Sequence, residues 1–116
     1  MSAERREIGR IHVIWKATLT RLNGERLAGS TDNVSAEGVN VIVSKPLVLG
    51  EPVQIDIVTS CGQGTCYFKL RGMAVYSHVL DMNLGHAVGL RLLKPLLAYT
   101  ELVGSLGVTV SRERSR

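Results

Sequence analysis

Apolar and polar positions alternate along most of this chain. In IHVIWKATLT (11–20), Ile11, Val13, Trp15, Ala17 and Leu19 fall on one side, and His12, Lys16, Thr18 and Thr20 on the other. Ile14 breaks the alternation. Period two is the signature of a half-buried strand. RLNGER (21–26) then holds Asn-Gly, a strong hairpin signal, and a short strand is expected around Leu27–Thr31. GVNVIVS (38–44) alternates again, through Val39, Val41 and Val43. KPLVLGE is a link punctuated by Pro46 and Gly50. PVQIDIVTS (52–60) sets Val53, Ile55 and Ile57 against Gln54 and Asp56. CGQGTC reads as a loop. CYFKLRGMAVYSHV (66–79) is long for one strand, and Gly72 is the expected site of a bulge or bend. DMNLG (81–85) turns the chain, and HAVGLRLL (86–93) closes the set.

The period changes after that. PLLAYTELVGSL (95–106) starts with proline, which suits a first helical turn, and Leu96, Tyr99, Val103 and Leu106 recur at helical spacing. Six strands followed by one helix predict a mainly all-β domain: a small six-stranded antiparallel barrel with a C-terminal α-helix. Residues 1–10 read as a flexible basic arm, 11–107 as the barrel plus helix, and 108–116 as a disordered basic tail.

A length of 116 residues fits one domain with a small core, and 45% hydrophobic content excludes a disordered segment. No apolar run nears the roughly 18 residues of a membrane span, and Glu4 and Glu7 interrupt any signal-peptide core, so a cytoplasmic protein is expected. The net charge is +4, and its placement is informative: the first ten residues carry +1, SRERSR (111–116) carries +2, and the rest of the chain only +1. A nearly neutral body with basic ends suits a small anionic ligand at least as well as a long polyanion.

Few residues suggest catalysis. His12, His78 and His86 lie in or beside strands with no nucleophile at a recognised spacing, and no phosphate-loop glycine pattern is present. Cys61 and Cys66 bracket the glycine-rich loop. As metal ligands they would be two of four, and in a reducing cytoplasm they are expected as free thiols. Two stretches remain: RREIGR, with Arg5, Arg6 and Arg10, and STDNVSAEGVNV, where Asn33, Ser35 and Gly38 form N-x-S-x-x-G between two strands. Each alone reads as a solvated tail or an ordinary turn.

Taken together, R-x-x-x-R (Arg6, Arg10) ahead of N-x-S-x-x-G resembles the PilZ domain family. The strand VNVIVS, the LVLGE turn and HAVGLRL with Gly89 continue that likeness over about residues 5–105. Leu90 departs from the large apolar residue many members carry after the glycine, and the CGQGTC loop is longer than the family's shortest. The resemblance implies a PilZ-type barrel and a receptor for cyclic di-GMP. Its ligand set would be Arg6, Arg10, Asn33, Ser35 and Gly38, with Arg5 reaching a second ligand molecule and Tyr76 flanking a guanine. No catalysis, metal or cofactor is expected. The chemistry agrees. Arginine's planar fork matches phosphate oxygens or the O6/N7 edge of guanine, and Asn33 and Ser35 offer short hydrogen bonds to a base.

Ligand would draw the mobile arm onto the barrel, and a partner reading the closed form would convert binding into output. That partner would be an effector protein, with motility, adhesion or exopolysaccharide machinery as targets the resemblance makes plausible. Three alternatives stay open: a PilZ-like adaptor that binds no nucleotide, an OB-like single-stranded nucleic-acid binder, and an enzyme. The 4% aromatic content argues against the OB-like reading, because such proteins stack bases on aromatic rings.

Overall fold

The computed structural model describes residues 9–62, 64–94 and 96–114, with side chains for all of these except Cys61 and 107–114. The alternating segments form six strands: β1 (Lys16–Arg21), β2 (Arg26–Val34), β3 (Gly38–Val43), β4 (Pro52–Cys61), β5 (Gly64–Val79) and β6 (His86–Leu93). They close into an antiparallel barrel in the order β1-β2-β3-β6-β5-β4. Closure follows from β5, whose 16 residues pair with β4 through their first half and with β6 through their second. The inward set is apolar: Leu19, Val34, Val41, Ile55, Ile57 and Val88 are all fully buried. Burying such a side chain contributes about 1.5–3 kcal/mol, so this set is the main stabilising force.

The expected barrel is therefore present, with local differences. The first strand begins at Lys16 rather than Ile11, because 11–15 runs beside β2 through an isolated Ile11–Val34 bridge and the Thr31 side chain. Thr31 Oγ accepts from the Trp15 amide at 2.8 Å and donates to the Val13 carbonyl at 2.6 Å. Most of CGQGTC is not loop: β4 and β5 pair through Thr59–Cys66, Ser60–Thr65 and Cys61–Gly64. Cys66 is disulfide-bonded, which overturns the expectation of a free thiol there. That expectation rested on a reducing compartment, whereas the hairpin register brings the second half of the loop back beside the first.

Gly72 carries no bulge. It pairs with Val53 and with Leu92, and a Cβ there would sit 2.9 Å from the Arg91 carbonyl oxygen, so glycine serves close strand packing. The irregularity in β5 falls at Val75, between Ala74 and Tyr76, and β2 has another at Asp32, between Thr31 and Asn33.

The C-terminal segment is a helix, α1 (Leu97–Arg114). It buries Tyr99 and Val103, and the Tyr99 ring meets Phe68 edge to face at a centroid distance of 5.8 Å. The helix continues through 108–114, which the sequence assigned to a tail. No proline interrupts that stretch, so nothing in it stops the helix. No helix among the described residues is long and apolar enough to cross a membrane.

Candidate functional site

Two bulges decide which side chains face outward. On β5, Phe68, Leu70, Gly72 and Ala74 point inward, so unbroken alternation would send Tyr76 inward as well. The extra residue at Val75 reverses the phase and turns Tyr76 out. On β2, Leu27 and Thr31 point inward, and the irregularity at Asp32 turns Asn33 out while Val34 enters the core. One cross-strand row results, in which Asn33 pairs with Asn40, Asn40 with Gly89, and Gly89 with Tyr76.

Gly89 is the gap in that row. A Cβ there would lie 2.2 Å from the Tyr76 ring, so the ring occupies the space above the glycine. Adjacent strands are roughly 4.8 Å apart, and lying flat across β6 lets the tyrosine reach β3. Its hydroxyl donates to Asn40 Oδ1 at 2.7 Å. Asn40 Nδ2 donates to Asn33 Oδ1 at 2.6 Å, and Arg10 Nη1 donates to the same oxygen at 2.8 Å. Asn33 Nδ2 donates to Asp32 Oδ2 at 3.0 Å. His78 stacks beside Tyr76 at a centroid distance of 5.7 Å. Burial pushes the Tyr76 phenol above its ordinary pKa; the Arg10 charge opposes this and Asp32 adds to it.

Arg10 is brought here by its neighbour. The Ile11 amide donates to the Val34 carbonyl at 2.8 Å, and the Val34 amide returns a bond to the Ile11 carbonyl at 2.9 Å. Arg10 therefore leaves an anchored residue and reaches Asn33 directly. Arg5 and Arg6 lie outside the described residues.

Ser35 shapes the loop between β2 and β3. Its Oγ accepts from the Gly38 amide at 3.1 Å and from the Glu37 amide at 3.3 Å, and its own amide donates to the Gly38 carbonyl at 2.9 Å. Gly38 is needed for close approach to β6, because a Cβ would stand 2.9 Å from the Leu90 carbonyl oxygen. Two further bonds hold this loop: the Tyr99 hydroxyl donates to the Ser35 carbonyl at 2.7 Å, and the Leu92 amide donates to the Glu37 carbonyl at 2.8 Å. Loop, Arg10 and α1 surround an open cleft of about 810 Å³, whose lining includes Arg10, Ser35, Gly38, Val75, Arg91 and Val103.

Of the residues singled out from sequence, the structure links Asn33 and Tyr76 to Arg10 through the hydrogen-bond row, and sets Ser35 and Gly38 beside Arg10 in the lining of the cleft, which includes neither Asn33 nor Tyr76. It adds Asn40, Tyr99 and Arg91. Asn40 had a legible signal, being polar at an outward position of a valine-rich strand. Tyr99 did not, since helical spacing marks it only as apolar core. No group of three metal-ligating side chains occurs among the described residues.

At the sequence level, no family model and no curated protein matches this chain. Solved structures do. The structure of the Bacillus subtilis inhibitor of motility (MotI/DgrA) matches with a TM-score of 0.76 at 13% identity, over 92% of this chain and 51% of that one. YcgR from Escherichia coli in complex with c-di-GMP matches with a TM-score of 0.66 at 14% identity, over 91% of this chain and 46% of that one. The isolated PilZ domain of YcgR with c-di-GMP matches with a TM-score of 0.60 at 16% identity, over 90% of each chain. The fold is that of a PilZ domain. The chain spans about half the length of MotI/DgrA and of YcgR.

Proposed function

We propose that this chain is a receptor for cyclic di-GMP that signals through contacts with an effector protein and performs no turnover. The observation that carries the reading is that Arg10 both bonds Asn33 and lines a cleft walled by the Ser35–Gly38 loop. The residues that the sequence placed in one ligand set, 23 positions apart, share a hydrogen bond. The cleft is of a size that takes a nucleotide-scale ligand, and the structures it resembles include a PilZ domain holding c-di-GMP. In this reading Arg6 and Arg10 clamp the phosphates. Arg5 contacts a second ligand molecule, and Tyr76 flanks a guanine. Asn33 reads a base edge, and Ser35 and Gly38 keep the loop in shape.

Output would pass through α1. Tyr99 ties the helix to the Ser35 carbonyl, so a ligand that reshapes the loop changes what the helix rests on. A partner responds to that change only as far as it prefers one arrangement over the other. Motility, adhesion and exopolysaccharide machinery in the cytoplasm are the proposed targets.

The test is isothermal titration of the protein with cyclic di-GMP, beside Arg6→Ala/Arg10→Ala and a GTP control. Micromolar or tighter binding that the double variant loses is expected. A folded wild type that binds nothing would overturn the reading in favour of a nucleotide-free adaptor.

A further inference from the structure

The polarity of the hydrogen-bond row is set by its two ends. A guanidinium can only donate and a carboxylate can only accept. The Asn33 atom that meets Arg10 is therefore its oxygen, and the atom that meets Asp32 is its nitrogen. Asn40 must then offer its own nitrogen to Asn33 and turn its oxygen to the Tyr76 hydroxyl. Both lone pairs of Asn33 Oδ1 are in use, by Arg10 and Asn40, while Nδ2 retains one unspent N–H.

The tethers differ in strength. Arg10 and Asp32 are exposed, and a phosphate would compete for Arg10. Asn40 is only 7% exposed and its amide is held at both ends, the oxygen by the Tyr76 hydroxyl and the nitrogen by Asn33 Oδ1. Asn40 is thus what keeps the Asn33 amide from turning over when a ligand arrives.

We propose that Asn40 and Tyr76 are positioning residues that set base specificity, by holding Asn33 with a donor and not an acceptor toward the ligand. The free N–H finds an acceptor at guanine O6, where adenine carries an exocyclic amino group that needs an acceptor instead; N7 accepts in both bases, so the discrimination lies at O6. Freed from Asn40, the amide can turn and serve either base. This inference rests on the cyclic di-GMP reading and deepens it.

The experiment is a titration of wild type, Asn40→Ala and Tyr76→Phe with cyclic di-GMP and with cyclic di-AMP. Arg6→Ala/Arg10→Ala serves as a comparison, and each variant is melted to verify folding. Tyr76→Phe keeps the ring over Gly89 and removes only the hydroxyl. Each single variant is expected to lower the guanine-to-adenine affinity ratio by about tenfold or more, the discrimination that base-edge hydrogen bonds supply. The arginine variant is expected to weaken both ligands and leave the ratio in place. A ratio unmoved in both Asn40→Ala and Tyr76→Phe, even with weaker binding overall, overturns the inference and leaves the receptor reading standing. A wild type that binds neither ligand overturns both.

Discussion

The Tyr99 hydroxyl of α1 donates to the Ser35 carbonyl at 2.7 Å, a part-buried hydrogen bond that ties the C-terminal helix to the loop of the candidate site. Burial pushes the Tyr99 phenol far above its ordinary pKa. Tyr99→Phe keeps the edge-to-face contact with Phe68 and leaves the Ser35 carbonyl without this donor. The expected loss is about 1–3 kcal/mol of stability, measured by urea unfolding. A phenol whose folded pKa is raised stabilises the protein fully below its unfolded pKa. That contribution is lost as pH rises, because the unfolded chain ionises first. Wild type should therefore lose stability above about pH 10 more steeply than Tyr99→Phe. Parallel alkaline limbs would contradict this.

Gly89 and Tyr76 occupy one space. Gly89→Ala brings a methyl into the Tyr76 ring, and a ring that is 37% exposed has room to swing outward. The variant should fold with a cost of about 1–3 kcal/mol, lose the Tyr76–Asn40 bond and bind cyclic di-GMP more weakly. Gly89→Ala/Tyr76→Ala should recover most of the stability without recovering binding. Calorimetric melting and titration of the two variants would reveal any departure from that order.

An ion network lies away from the candidate site. Arg21 donates to both oxygens of Glu51 at 3.0 Å, Arg21 also meets Glu25 at 3.0 Å, and Lys45 meets Glu25 at 2.6 Å. The Lys45 ammonium leads in holding the Glu25 carboxyl below its ordinary pKa. At Glu51 burial raises the pKa, but the bonds from Arg21 and the Val48 amide outweigh it, and the net shift is downward. A carboxylate with a depressed folded pKa stabilises above its unfolded value and loses that contribution as pH falls through the folded one. Stability should drop below about pH 4.3, the ordinary glutamate value, and Glu51→Gln should flatten the drop. Chemical denaturation at pH 3 to 7 measures it; an equal acid loss in Glu51→Gln would contradict the assignment.

Leu19 is fully buried between β2 and β4. Leu19→Ala should cost about 2–5 kcal/mol, since the closed barrel wall cannot collapse into the void. A urea midpoint within error of wild type would contradict a core at that position.

Much of this was legible along the chain. Alternation at Val39, Val41 and Val43, and at Val53, Ile55 and Ile57, places those strands within a residue or two of where they lie. The Asn23-Gly24 turn lies between β1 and β2, and 86–93 is β6. The pairing of Arg10 with Asn33 was reachable only through likeness to a family, because no local rule links positions 23 apart.

What the sequence determined by itself was periodicity, since side-chain direction in a strand follows from the backbone's own geometry and solvent selects the apolar face. What tertiary structure alone decided was phase. The bulges at Asp32 and Val75 lie in the pairing of β2 with β3 and of β5 with β6, and neither residue announces it. Those two extra residues turn Asn33 and Tyr76 outward onto one row, where a glycine on the strand between leaves room for a tyrosine to reach an asparagine. Register is a property of pairs of strands, so no reading of single strands contains it.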